Sequence, residues 1–211
     1  MNAQKMASRT RQHSAQPSTI RVIGGVHRGR KLPVILADGL RPTGDRVRET
    51  VFNWLQPFIT GARCVDVCAG SGALGIEALS RGAASTAFIE FNAQVAQQLR
   101  LNCSTLALNA EVFSGDARRI LADQPRNHFD IAFLDPPFDH QLWQVLLQEL
   151  IPTMKPGGLV YIEQPKSVAV DWPGNWRQLK AKTAGKISFS LWQLAYSPQS
   201  EAESISNNDN E

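Results

Sequence analysis

The feature that most constrains the fold is a regular alternation of short apolar segments and helical segments from residue 63 to residue 163. The apolar segments predict buried strands at 63–67, 86–90, 111–114, 130–134 and 159–163. Segments with helical periodicity lie between them, at 74–80, 92–106, 117–121 and 141–150, and Gly157 and Gly158 predict a turn directly before the last strand. Strict alternation is typical of a mostly parallel sheet with helices on both faces, so we predict a doubly wound, Rossmann-like α/β fold.

Shorter units flank this α/β body. Apolar runs at 20–23 and 31–36, separated by glycines, predict an N-terminal β-hairpin, and a capped helix is expected between Thr43 and Pro57. Residues 176–181 and 186–196 predict a terminal pair of strands that adds an antiparallel strand to the sheet. We therefore expect four parts: a disordered arm (1–18), a basic hairpin and helix extension (19–60), the α/β domain (61–196) and an acidic disordered tail (197–211).

Composition excludes several classes of protein. Hydrophobic residues make up 43% of the chain, which is enough for a core and too many for wholesale disorder. No run approaches the roughly 18 apolar residues of a membrane span, and the polar N-terminus is unlike a secretory signal. The three cysteines (Cys64, Cys68 and Cys103) form neither an even disulfide set nor a metal motif. We therefore expect a cytoplasmic protein with reduced cysteines and no metal site.

Charge is distributed unevenly along the chain. Residues 1–50 carry ten Lys or Arg residues and three acidic residues, a net charge of +7, whereas residues 197–211 carry four acids and no base. A basic N-terminal segment on a neutral body indicates a polyanionic partner. A solvated arm explains the same charge equally well, so charge alone does not choose between the two.

A glycine-rich loop follows the first strand of the α/β body. Gly70, Gly72 and Gly75 match the G-x-G-x-x-G pattern between a strand and a helix, where bare backbone lets a nucleotide-bearing ligand approach closely. Glu90 ends the next strand and can accept hydrogen bonds from both ribose hydroxyls. The pattern indicates a nucleoside cofactor without choosing between a nicotinamide dinucleotide and S-adenosylmethionine.

Two acidic residues favour S-adenosylmethionine. Asp66 lies at the end of the first strand, where its charge could face a cationic ligand, directly or through water. Asp116 follows the third strand, where an acceptor could read an adenine amino group. Asp116 also precedes a predicted helix, so it is equally well explained as that helix's N-cap, and it could serve both roles.

The motif that decides the chemistry is Asp135-Pro136-Pro137-Phe138, directly after the fourth strand. Two prolines make a rigid loop at the sheet edge where ligands bind in such folds. Their carbonyls and the Asp135 carboxylate form an acceptor-only surface, and Phe138 offers a stacking face beside it. That combination suits the exocyclic amine of a nucleobase. We assign catalytic roles to Asp135, Pro136 and Phe138.

With these residues identified, the chain resembles the S-adenosylmethionine-dependent amino-methyltransferases of the Asp/Asn-Pro-Pro-aromatic group. More narrowly, it is similar from about residue 21 to residue 196 to the RsmD family of bacterial 16S ribosomal RNA guanine-N2 methyltransferases. The family's fourth motif often ends in Tyr, whereas this chain has Phe138, so only a stacking role carries over. The stretches most particular to that family are Leu40-Arg41-Pro42-Thr43 and Asp45-Arg46-Val47-Arg48-Glu49.

The resemblance implies methylation of N2 of the guanine at position 966 of 16S ribosomal RNA, with the small subunit or its assembly intermediate as partner. We also expect a monomer. S-adenosylmethionine would be held at the glycine loop, with Glu90 on the ribose, Asp116 on the adenine and Arg41 and Thr43 near the cofactor's carboxylate or the target pocket. The complete predicted cofactor set is Arg41, Thr43, Asp66, Gly70, Ser71, Gly72, Glu90, Asp116, Ala117 and Asp135. The predicted RNA-binding set is Arg28, Arg30, Lys31 and Arg46, which would contact phosphates.

Several other functions use parts of the same pattern. A DNA adenine-N6 or protein glutamine methyltransferase shares the Asp135 loop, although a site-specific DNA enzyme would need a further target-recognition domain. A nicotinamide-dependent oxidoreductase would share the glycines but leaves residues 135–138 without a role. An inert RNA-binding assembly factor would not need the intact Asp-Pro-Pro-Phe motif.

Overall fold

The computed structural model describes residues 18–35, 44–137 and 142–195. Its centre is a seven-stranded sheet built, in chain order, from β3 (Arg63–Val67), β4 (Ser85–Glu90), β5 (Ala110–Ser114), β6 (Phe129–Leu134), β7 (Met154–Pro165), β8 (Trp176–Ala184) and β9 (Ile187–Leu194). The strand order is β5-β4-β3-β6-β7-β9-β8. The first five are parallel neighbours, and β9 and β8 are antiparallel additions at one edge. The predicted doubly wound α/β fold is confirmed.

Among the described residues, five α-helices cover the two faces of this sheet: α1 (Asp45–Leu55), α2 (Ala73–Ser80), α3 (Ala93–Thr105), α4 (Ala117–Ala122) and α5 (Leu142–Leu150). The apolar residues of α1, α2 and α3 pack on one face, and those of α4 and α5 pack on the other. Successive strand residues point to opposite faces, so Cys64 packs under α1 and α2 whereas Val65 packs under α4 and α5. The layers leave the carboxyl ends of the parallel strands as the open edge.

The N-terminal hairpin is a separate two-stranded sheet of β1 (Ser18–Arg21) and β2 (Lys31–Val34). Its buried side chains Ile20, Val22 and Leu32 pack against α2 and α3. The Glu77 carboxylate on α2 accepts hydrogen bonds from the backbone N–H groups of Ile23 and Gly24, both at 2.7 Å. The hairpin is therefore part of the same packed body.

The largest difference from the sequence prediction concerns the start of β7. The prediction of a turn at Gly157 and Gly158 before the strand is wrong, because β7 already begins at Met154 and continues through both glycines. Phe129 pairs with Met154 and Ile131 with Leu159, so the pairing with β6 shifts register at this point. The glycines thus lie in an irregular stretch within the strand. No helix in the described ranges is long and apolar enough to cross a membrane.

Candidate active site

The glycine loop joins β3 to α2 and has an unusual backbone conformation. Cys68 and Gly70 have φ angles of 62° and 53°, and Gly72 starts the helix in the left-handed region at 74°. Gly75, the third glycine of the motif, lies against β4, where an added Cβ would meet the Phe88 ring at 2.3 Å. The motif therefore sets a tight turn and draws α2 close to the sheet.

Asp66 lies beneath the start of α2. Its Oδ2 accepts a hydrogen bond from the Gly75 backbone N–H at 2.8 Å, and the residue is only 3% exposed. Burial raises the pKa of Asp66 to about 8; the Gly75 hydrogen bond opposes this shift, and the nearby Glu90 charge adds to it. This carboxyl group holds the start of α2 in place through the Gly75 N–H, and its predicted contact with a cationic ligand stays a prediction.

Glu90 ends β4 directly beside the glycine loop. One carboxylate oxygen accepts the Gly70 N–H at 2.8 Å, and the other accepts the Asn92 N–H at 2.7 Å. A carboxylate oxygen can accept two hydrogen bonds, so each retains one acceptor position for a ribose hydroxyl. Because the same carboxylate also fixes the loop, Glu90 would position ligand and loop together.

Asp116 serves as the N-cap of α4, one of the two roles expected from its position. Its carboxylate accepts the Arg118 N–H at 3.0 Å and pairs with the Arg118 guanidinium, a contact that the sequence analysis missed. The hydrogen bonds from Arg118 lower the pKa of Asp116 to about 2, so its carboxylate is ionised at neutral pH. Ala117 follows as the first residue of the helix.

The catalytic motif begins where β6 ends. Asp135 directly follows the strand and is half-buried, Pro136 is buried, and Pro137 is exposed. Phe138 lies outside the described residues, as do Arg41 and Thr43, so their predicted roles stay predictions. The structure places Asp135 at the carboxyl edge, next to the glycine loop, because β3 and β6 are parallel neighbours.

The predicted acidic residues converge on one point, the Cys68 thiol. Burial is the main cause that raises the pKa of this thiol to about 12. Four carboxylates near it raise the pKa further, namely Glu90, Asp66, Asp135 and Asp116. Asp66 lies near the end of β3, Glu90 ends β4, and Asp116 and Asp135 follow β5 and β6, so the carboxyl edge of the sheet brings the four together into one acidic site. Such a site favours a cationic ligand.

The predicted RNA-binding residues lie on two elements, the hairpin and α1. Arg28, Arg30 and Lys31 are exposed on the hairpin, whose turn is fixed by a Val26 N–H to Ser80 carbonyl hydrogen bond at 2.8 Å. Ser80 ends α2, an eight-residue helix, so the turn lies about 12 Å from the glycine loop along that helix. Arg46 is exposed in the first turn of α1.

The other end of the hairpin lies close to the glycine loop. Val34 and Ile35 line a shallow cavity together with Gly70 and Ser71. Ile35 is the last described residue before the segment that contains Arg41 and Thr43. This placement is compatible with the predicted roles of both residues, which no contact in the described part of the chain tests.

Two buried polar groups were missed by the sequence analysis. Glu77 has a fully buried side chain that also accepts a hydrogen bond from the Arg81 Nε at 2.7 Å. Glu163, on β7, accepts one from the Tyr161 hydroxyl at 2.9 Å. A charged residue in the otherwise apolar α2 segment and an acid at the end of an apolar strand were the available signals.

Comparisons with known proteins agree with this geometry. Residues 20–193 match the family model described as Conserved hypothetical protein 95. Ribosomal RNA small subunit methyltransferase D of Haemophilus influenzae is 47% identical, over 82% of this chain and 93% of its own length. The protein of the same name from Escherichia coli K12 is 45% identical, over 87% of this chain and 94% of its own length. A solved Escherichia coli structure superposes with a TM-score of 0.77 at 44% identity, over 85% of this chain and 100% of its own.

Proposed function

This chain belongs to the ribosomal RNA small subunit methyltransferase D family, and we propose that it methylates the exocyclic N2 amine of guanine 966 in 16S ribosomal RNA. The methyl donor in this proposal is S-adenosylmethionine, and the substrate is the small subunit or its assembly intermediate. The observation that carries the proposal is the position of Asp135 and Pro136 beside the glycine loop, within the cluster of carboxylates around Cys68.

The described residues fit this donor. S-adenosylmethionine, when bound, supplies an electrophilic methyl group on a positively charged sulfonium. The acidic edge formed by Glu90, Asp116 and Asp135 complements that charge and the adjacent ammonium group, whereas Asp66 holds the start of α2 through the Gly75 N–H. Glu90 offers one acceptor position per oxygen to the ribose, and Gly70 and Gly72 present backbone without side chains.

Asp135 and Pro136 would act mainly by positioning the amine. The lone pair of a guanine amine is delocalised into the ring, so the amine is a weak nucleophile. Hydrogen bonds from its two protons to the Asp135 carboxylate and the Pro136 carbonyl favour a localised lone pair and direct it towards the methyl group. The new N–C bond forms as the S–C bond breaks, and S-adenosylhomocysteine leaves with the electron pair of that bond.

The proton lost from the amine goes to Asp135 late in the reaction. A neutral amine is too weak an acid for a carboxylate to deprotonate at the start. Once the nitrogen carries the methyl group and a positive charge, it is acidic enough to pass a proton to Asp135 and then to water. The positive charge moves from sulfur to nitrogen and is neutralised when the proton passes to the Asp135 carboxylate, so a partly desolvated site does not oppose the reaction.

A test of the cofactor site is the substitution Glu90→Gln. It removes the charge that would accept the ribose hydroxyls and changes one oxygen that holds the loop, so we expect S-adenosylmethionine to bind roughly 10- to 100-fold more weakly. Isothermal titration calorimetry measures this affinity. Glu111→Gln, an exposed site on the next strand, is the matched control and should bind normally. Equal affinities of the two variants would contradict the assignment of Glu90.

The function is tested with tritiated S-adenosylmethionine and small ribosomal subunits from a strain that lacks this activity. Nuclease digestion should place the label in N2-methylguanosine, and mapping should place it at one 16S position. Label in DNA or in protein glutamine, with none in the RNA, would reject the substrate and retain the fold and the donor. Small subunits already modified at that position are the control, and they should accept no label.

The proposed contact between the hairpin and RNA is tested by charge reversal in two single variants, Arg28→Glu and Arg30→Glu. If each contacts one phosphate, each variant should bind RNA more weakly, and the slope of log affinity against log salt should fall by about 1. Because these residues lie about 12 Å along α2 from the glycine loop, the rate at saturating RNA should not change. Arg126→Glu, in an exposed turn on another part of the protein, is the control. An unchanged slope would show that the hairpin does not contact RNA.

A further inference from the structure

The buried Tyr161–Glu163 pair lies beside the catalytic motif and has no part in the mechanism described so far. The Tyr161 side chain is fully buried, and its hydroxyl donates to the Glu163 Oε2 at 2.9 Å. Glu163 is 7% exposed, and its backbone carbonyl accepts a hydrogen bond from the buried Trp143 indole at 2.7 Å. Both the backbone and the carboxylate of Glu163 are therefore held in fixed positions.

Strand register places this pair next to Asp135. On the parallel neighbours β6 and β7, Phe133 lies opposite Tyr161 and Leu134 lies opposite Ile162. One residue further along are Asp135, directly after β6, and Glu163, still within β7, and neighbouring strands are about 4.8 Å apart. Burial raises the pKa of the Tyr161 hydroxyl, and the charges of Glu163 and Asp135 raise it further, so both carboxylates lie close to this phenol.

A carboxylate held in place next to Asp135 matches one edge of guanine. That edge carries the N2 amine and, directly next to it, the N1–H donor. Adenine has an acceptor lone pair at N1 instead, which an ionised carboxylate repels. A residue that accepts a hydrogen bond from N1–H therefore selects guanine over adenine before any methyl transfer.

We propose that Glu163 is a specificity-determining residue whose carboxylate accepts the N1–H of the target guanine while Asp135 and Pro136 hold the N2 amine. Tyr161 acts as its positioning residue, because the phenol donates to one carboxylate oxygen and orients the group. This inference rests on the proposed function and adds the reason why the target is guanine. It also gives a role to a carboxylate that is buried within a core strand, where burial of a charged group is costly.

The test combines one protein substitution with one change in the base. The substrate is a reconstituted small subunit with either guanine or 2-aminopurine at the target position, since 2-aminopurine keeps the exocyclic amine and lacks the N1–H. Wild-type protein and Glu163→Gln are compared on both substrates by single-turnover methyl transfer, with Glu111→Gln as the matched control. S-adenosylmethionine affinity and circular dichroism report whether each variant is folded.

We expect each single change to slow methyl transfer roughly 10- to 100-fold, because each removes one partner of a hydrogen bond to a charged group. The two changes together should slow methyl transfer little more than either change alone, because both remove the same contact. The rates of Glu163→Gln on guanine and on 2-aminopurine should therefore agree to within about threefold. Wild type and Glu111→Gln should keep their preference for guanine.

If Glu163→Gln slows methyl transfer to guanine and to 2-aminopurine by the same factor relative to wild type, the proposal is overturned, because Glu163 would then be a structural residue only. If Glu163→Gln does not fold, Glu163→Asp retains the charge on a shorter side chain and should lower the preference for guanine; an unchanged preference overturns the proposal. Equal wild-type rates on the two bases overturn it as well. Wild-type protein that labels neither substrate would instead reject the proposed function.

Discussion

Replacing Asp135 with alanine should reduce the rate of methyl transfer by about 10³-fold, since both amine positioning and late proton acceptance are lost. The affinity for S-adenosylmethionine should change less than about threefold, because Glu90 and the glycine loop carry most of the expected donor contacts. Single-turnover labelling of small subunits measures the rate, and calorimetry measures the affinity.

Asp135→Asn separates the two roles of this residue. The amide keeps one acceptor oxygen for the amine but cannot take a proton, so its rate should lie between those of wild type and Asp135→Ala. Asp123→Ala, at an exposed acid beyond α4, is the control for removing a negative charge and should leave the rate unchanged. Weak donor binding with normal turnover in Asp135→Ala would contradict the catalytic assignment.

The parts of the fold that were predictable are those set by local pattern. The strand expected at 63–67 is observed as Arg63–Val67, because a short apolar run next to a glycine loop has few alternatives. The same holds for the alternation of strand and helix, which a parallel sheet requires. The acidic residues of the site were also predictable, since carboxyl ends of parallel strands meet at one edge.

The parts that were not predictable depend on contacts between distant segments. The direction of the hairpin is set by hydrogen bonds to Glu77 and Ser80, more than 50 positions away in the sequence. Nothing in the local pattern of residues 20–36 indicates that its basic turn lies at the far end of α2. The Tyr161–Glu163 pair was missed for a similar reason, because only the strand register between β6 and β7 places it next to Asp135.

Glu77→Ala should cause the largest loss of stability, about 3–5 kcal/mol, which is the usual result of removing one partner of a buried ion pair. The Glu77 side chain is fully buried, accepts the Ile23 and Gly24 N–H groups and the Arg81 Nε, and lies 3.9 Å from the buried Arg48. Its loss leaves those donors buried without their acceptor. Urea unfolding followed by circular dichroism measures the free energy.

Amide hydrogen exchange shows where that stability is lost. In Glu77→Ala, the Ile23 and Gly24 amides should exchange much faster than in wild type, because their acceptor oxygens are gone and the hairpin can separate from α2. Glu49→Gln, on the exposed face of α1, is the control and should change stability by less than about 0.5 kcal/mol. If Glu77→Ala and Glu49→Gln unfold at the same urea concentration, the hairpin is held by its apolar contacts alone. Since the hairpin also leads into the segment with Arg41 and Thr43, its separation should lower donor affinity in Glu77→Ala as well.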